Sequence, residues 1–279
     1  MTIPLVIYAE IIYALTVVLL EVPSGVLSDK WGRKRMLLIS AVLVCCEFLV
    51  LLYAANFWHF TLAVFLAGIG RSASSGSENA LLYETLQRQG KAASFEKRLS
   101  RLNACDFLAA MLAALSGSWL AGRFGLELNY WISLGSALTA LLLTFLLNDS
   151  AAKADGQPSG QGFSFARYVT EALRFFRTNP GVLLVIASGM VTGAALTYIY
   201  EFWQLYAERL SMLIAFFGVL SGAIMLVQLP GSLPAHALIA RFRPQTLIVC
   251  VLAVHVIGFA YAAVNPDYTG LAAMIIIFW

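Results

Sequence analysis

Nine stretches of this chain run for a dozen to about twenty residues with at most one charge in each before any continuation, and that pattern decides what the chain can become. They cover residues 3–20, 36–55, 60–77 with a continuation to about 86, 104–122, 128–147, 181–200, 211–230 with a continuation to about 240, 244–264, and 268–279. A helix needs ~20 apolar residues to cross ~30 Å of hydrocarbon. Of the 279 residues 60% are hydrophobic and only 12% charged, with a mean hydropathy of +0.81, whereas a soluble domain carries about 25% charged residues. An ordinary soluble enzyme is thereby excluded, as are disordered, collagen-like and disulfide-stapled chains. The Leu, Ala, Gly and Phe content, with no ten-residue alternating stretches, predicts an all-α polytopic membrane protein rather than a barrel.

Basic residues orient the spans, since Lys and Arg collect in cytoplasmic loops. Of the 18 Lys and Arg, 15 fall in the connections after the first, third, fifth and seventh runs. Arg123 and Arg209 lie on the other side, and Arg71 lies inside a span. This places the chain in an inner (plasma) membrane with its N-terminus outside. A net charge of +3 follows from the loop asymmetry and implies no nucleic-acid partner. Cys45, Cys46, Cys105 and Cys250 fall in apolar spans without metal-ligand spacing, and are expected to be buried small hydrophobes.

Residues 148–163 are small and polar, the composition of a linker. After them Phe165, Tyr168, Val169, Ala172, Leu173 and Phe176 recur at helical spacing, with Arg167, Glu171, Arg174 and Arg177 on other faces. That pattern predicts an amphipathic helix on the cytoplasmic membrane surface, or one that docks a partner protein. The organisation expected is a five-span bundle over 1–148, a cytoplasmic linker over 149–180 and a four-span bundle over 181–279.

The first cytoplasmic connection reads Gly25-Val-Leu-Ser-Asp29-Lys30-Trp-Gly32-Arg33-Lys34-Arg35. Gly25 and Gly32 would let two helices meet in a tight turn, and Asp29 would cap a neighbouring helix and pair with Arg33 four residues on. This stretch resembles, at every defining position, the Gly-x-x-x-Asp-(Arg/Lys)-x-Gly-Arg-(Arg/Lys) signature between helices 2 and 3 of the major facilitator superfamily. The resemblance implies a twelve-helix fold of which the nine spans are helices 2 to 10, the chain being a piece of a longer protein. It also implies that Gly25, Asp29, Lys30, Gly32, Arg33 and Lys34 form a cytoplasmic gate that latches the two halves together. The function so implied is secondary active transport of a small molecule by alternating access, in the form of proton-coupled efflux. Metabolite uptake, or a membrane protein that does not transport, are the alternatives.

A second stretch, Gly68-Ile-Gly70 with Ser75-Gly-Ser-Glu78-Asn-Ala-Leu-Leu-Tyr-Glu84, is similar to helix 4 of a drug-efflux-like branch. Gly68, Ser72 and Gly76 also have the spacing of close helix packing. Val64 stands where antiporter relatives carry an arginine.

Ionisable residues inside spans are functional candidates by default, at a cost on the order of 3 kcal/mol each. Arg71, expected near mid-helix and facing a central cavity, leads the substrate and proton candidates, with Glu47, Asp106, Glu201, Glu78 and Gln204. For Glu21, Glu78 and Glu84, pairing with the loop arginines is the simpler expectation. Tyr198, Tyr200, Trp203 and Tyr206 form either an interfacial aromatic belt or a cage for cationic solutes. Pro230 and Pro234 should kink their helix, and His236 and His255 are expected to pack. No catalytic set, phosphate loop, cofactor motif or metal-spaced cluster is present in the sequence. The partners expected are the lipid bilayer, a small-molecule substrate and protons as the coupling ion, with the chain acting as a monomer.

Overall fold

The first helix does not stop where the apolar run does. In the computed structural model, which describes residues 3–147, 170, 174–184, 189, 193, 203–226 and 244–277, helix α1 spans Ile3–Trp31. At about 1.5 Å per residue its 29 residues reach about 43 Å, well beyond the ~30 Å of hydrocarbon. The signature stretch expected to be a loop is therefore largely helix. Gly25 sits mid-helix with nothing within 4 Å of where its Cβ would be, and the turn falls on Gly32 alone, at φ 93°. That positive φ is the conformation glycine adopts without cost. Helix α2, Arg33–Leu52, starts at the next residue.

The third run, expected to be one helix to about residue 86, is broken. Helix α3 covers Phe57–Ser74 and α4 covers Ser77–Arg88, separated by Ser75 and a left-handed Gly76 at φ 72°. Gly76 is thus a helix breaker and not a packing position: nothing lies within 4 Å of where its Cβ would be. Asn56 starts α3 by accepting the His59 amide on its side-chain oxygen at 3.0 Å, the usual N-cap arrangement. Helix α5, Phe95–Phe124, takes in basic residues that the hydropathy pattern assigns to a loop. Gly125, at φ 87°, separates it from α6, Leu126–Leu146.

Further on lie α7 over 203–209, α8 over Ile214–Leu226, α9 over Pro244–Val264 and α10 over Tyr268–Ile277. Among the described residues there is no strand, and α1, α2, α5 and α6 are long and apolar enough to cross a membrane. The linker, Tyr198, Tyr200, Glu201, Pro230, Pro234 and His236 lie outside the described residues, as does most of the amphipathic stretch; residues 174–178 of it are helical.

Two compact units emerge, one from residues 1–103 with 126–172, the other from 104–125 with 173–279. In the first, α3 packs on both α1 and α2, and α6 packs on α2 around Cys45, Leu134 and Ala137. In the second, Trp203, Ala207, Ile224, Ala262 and Met274 form the core. Cys45 is buried and Cys46 half-buried as expected, but Cys105 and Cys250 are exposed, because hydropathy does not distinguish a lipid-facing from a protein-facing position.

Candidate functional site

Arg33 is the hub of one end of the first unit, where α1 gives way to α2. It is the first residue of α2, and its Nη2 pairs with Asp29 Oδ1 at 2.7 Å. Its Nη1 donates to Ser28 Oγ at 3.0 Å, and its Nε donates to Glu84 Oε1 at 3.3 Å. One guanidinium thus joins α1, α2 and α4. The i, i+4 pairing predicted for Asp29 and Arg33 is present, while the predicted capping by Asp29 is not: the N-cap of α2 is Gly32, with no side-chain hydrogen bond. Asp29 instead offsets a run of three cations placed where the helix dipole disfavours them.

The other signature residues divide. Lys34 Nζ donates to the Phe145 carbonyl at 2.9 Å, tying α2 to one of the last carbonyls of α6, which the α6 helix leaves unpaired. Lys30 is exposed in the last turn of α1, a favourable end for a cation. Glu84, expected simply to pair with a loop arginine, does so and thereby completes the hub. Ser28 and Ser77 were not foreseen. Their hydroxyls meet at 3.0 Å, both buried, so Ser28 supports the Arg33 contact from below. The legible trace of this contact is Ser24 and Ser28, four apart on one face of α1; Ser24 Oγ donates to the Ser72 carbonyl at 2.7 Å.

The candidate intramembrane charges are dispersed. Arg71 is exposed in the last turn of α3, not mid-helix, because Ser75 and Gly76 end that helix just beyond it. Glu47 is half-buried in α2. The ion pairs among the described residues are those of Arg33, so Arg71 and Glu47 are not joined. Asp106 is exposed on α5 and Gln204 on α7, and Glu78 is exposed in the first turn of α4. Ser75 Oγ donates to Glu21 Oε1 at 3.1 Å. Among the described residues no cluster of His, Cys, Asp and Glu has the make-up of a metal site.

Glycines 68 and 70 serve packing. A Cβ at Gly68 would fall 3.0 Å from Thr16 Cβ and Cγ2, and one at Gly70 would fall 3.5 Å from Leu43 Cβ. Ser40 Oγ donates to the Gly70 carbonyl at 2.8 Å.

Of the four aromatic residues of the belt or cage expected from the sequence, the described ones, Trp203 and Tyr206, are used in packing. Trp203 is 3% exposed with its ring 5.8 Å from that of Phe217. Tyr206 donates its hydroxyl to the carbonyls of Asn265 and Ala262 at 2.8 and 3.0 Å. The Tyr206 hydroxyl thus ties α7 to the end of α9 and the α9–α10 connection, while the Trp203 ring meets α8. His255 Nδ1 lies 2.7 Å from the Val251 carbonyl, a local contact within α9.

Comparison with known proteins bears on all of this. The family model of the Major Facilitator Superfamily matches residues 2–279. The inner membrane transport protein YajR of Escherichia coli (strain K12) is 24% identical over 250 residues, 86% of this chain and 51% of that protein. The multidrug resistance protein MdtG of Citrobacter koseri is 25% identical over 261 residues, 90% of this chain and 61% of that protein. A crystal structure of a D-xylose-proton symporter superposes with a TM-score of 0.64 at 16% identity, covering 98% of this chain and 68% of that one; this likeness concerns the fold. The chain spans about half the length of the curated relatives it matches, 34% to 61%.

Proposed function

The chain belongs to the Major Facilitator Superfamily, and on that premise we propose that it serves as a secondary active transporter that exports a small lipophilic molecule across a bacterial inner membrane in exchange for protons. Alternating access requires contacts at one membrane face that hold one state and release in the other. We assign that part to the Arg33 hub, whose contacts lie within the first unit and hold the ends of α1, α2 and α4 in one arrangement. Its partners Asp29 and Glu84 keep 58% and 34% of their side chains exposed, and exposed ion pairs contribute only about 0.2–1 kcal/mol each. Two such pairs and a hydroxyl contact together stabilise that arrangement by about 1–2 kcal/mol, roughly five- to thirtyfold in its population. That is enough to favour a closed gate without freezing it.

Efflux is favoured over uptake by the relatives named for multidrug resistance, of which MdtG is 25% identical over 90% of this chain. Arg71, Glu47, Asp106, Glu201, Glu78 and Gln204 remain candidates for substrate and proton handling, and the bundles over 1–148 and 181–279 for the two rocking halves. Everted membrane vesicles carrying the chain provide the test. A lipophilic fluorescent cation should accumulate when a pH gradient is imposed and leak out when it is dissipated, and Arg33→Ala should reduce that accumulation five- to thirtyfold. A flux indifferent to the gradient removes proton coupling; gradient-driven movement of a neutral metabolite in the opposite sense establishes uptake instead.

A further inference from the structure

At the end of α5 that the loop-charge pattern assigns to the outer side, α5 and the start of α8 with the two residues before it form a groove of about 500 Å³ lined by Trp119, Gly122, Arg123, Met212, Leu213, Ile214 and Ala215. Its floor is a tight crossing: a Cβ at Gly122 would meet Ala215 Cβ at 3.5 Å, and Ser118 Oγ donates to the Ala215 carbonyl at 3.3 Å. Its walls are apolar and open, with Trp119 53%, Leu213 69% and Ile214 49% exposed. Its charge is a single cation. The Arg123 guanidinium lies 5.9 Å from the centre of the Trp119 ring and 6.0 Å from that of Phe124, and those two rings themselves meet edge to face at 6.5 Å.

We propose that this groove seats an anionic phospholipid of the outer-facing leaflet, its phosphate on Arg123 and the first part of an acyl chain along Met212, Leu213 and Ile214. Three observations converge on that occupant. The site lies where the spans end, the depth at which Trp and Arg meet headgroups. No carboxylate is among the residues that line it, so the cation is left for an anion from outside. Two aromatic rings hold that cation beside an apolar trough, which complements a molecule charged at one end and oily below it. Arg123 is also one of only two basic residues that the loop pattern leaves on this side, where a cation gains nothing from the orientation rule.

The test is native mass spectrometry of the purified 279-residue chain titrated with phosphatidylglycerol and with phosphatidylcholine of matched acyl chains. Wild type should retain phosphatidylglycerol in preference. Arg123→Ala and Arg123→Gln should each weaken it about fivefold, the size expected for one cation at a membrane surface, while Arg209→Ala leaves it unchanged. Ile214→Trp, which keeps the charge but fills the trough, should also lower retention, with helicity by circular dichroism confirming that each variant is folded. Equal retention of the two lipids overturns the proposal. So does an unchanged affinity in folded Arg123→Gln, or a folded Ile214→Trp that binds as the wild type does.

Discussion

In the first unit α3 meets α1 and α2 through small groups: Gly68 against Thr16, Gly70 against the Cβ of Leu43, and serine hydroxyls donated to carbonyls of the neighbouring helix. The second unit has one such crossing, Gly122 against Ala215 with the Ser118 hydroxyl on the Ala215 carbonyl, but its core is built from large groups. Trp203 stacks near Phe217, Met274 fills the same core, and Tyr206 reaches two carbonyls at the α9–α10 connection. Both units face the same difficulty, since lipid tails are as apolar as leucine and offer no hydrophobic drive for helices to associate. The α3 contacts of the first unit meet it by bringing backbones close enough for dispersion and hydroxyl–carbonyl bonds, the core of the second by packing bulky side chains. Where a chain must pivot or slide, backbone contact through small residues leaves smooth surfaces. Interlocked rings give a fixed joint.

The contrast predicts different sensitivities. Gly68→Leu should be the most damaging of the three changes considered, because the Cβ alone already crowds Thr16 at 3.0 Å and the backbone carbonyl of Tyr13 at 3.3 Å. Overpacking of this kind costs about 1–3 kcal/mol. A fall in the thermal unfolding midpoint in detergent measures it, and a variant as stable as wild type would show that α1 and α3 need not be so close. Tyr206→Phe comes next. It keeps the ring in the second core and deletes one hydroxyl, so a loss of about 1 kcal/mol is expected in the same measurement. No loss at all would leave ring packing alone as the second unit's fastening.

The smallest effect concerns the α9–α10 connection that Tyr206 grips. Asp267 Oδ1 accepts from the Thr269 hydroxyl at 2.6 Å and from the amides of Thr269 and Gly270 at 2.8 and 3.0 Å, capping α10. The Thr269 hydroxyl first, and then the Gly270 amide, hold this carboxyl below its ordinary value. The sign is that of a stabilised carboxylate: the cap is intact above the usual range near about 4 and is lost as pH falls through the lowered value. Acid titration of the helical signal should therefore show a small decrease below about pH 4 that Asp267→Asn abolishes, since the amide accepts hydrogen bonds without titrating. An identical titration in the variant would remove the cap from the account.

Much of this was legible from residue order alone. The Asp29–Arg33 pair follows from their spacing, the all-helical architecture from the apolar runs, and the family from the stretch around Gly25 to Arg35. Less legible were the places where helices begin and end. The break after Ser74 and the extension of α1 to Trp31 depend on single glycines at positive φ and on serines that find acceptors in a neighbouring helix. Tyr198, Tyr200, Trp203 and Tyr206 read as a belt or a cage, because a ring's hydropathy is the same wherever it points.

By itself, then, the order of residues determined that the chain is a bundle of membrane helices and that Arg33 has an acid one turn away. Hydropathy and charge act residue by residue through the solvent, and so survive in a one-dimensional reading. Only the tertiary structure decided that Glu84, 51 positions from Arg33, completes the hub. It also decided that Arg71 closes a helix, that Trp203 is core, and that Arg123 lines a groove with residues more than 80 positions away. Those outcomes depend on how each helix is rotated about its axis, which in a hydrocarbon solvent is set by its neighbours and not by its own composition.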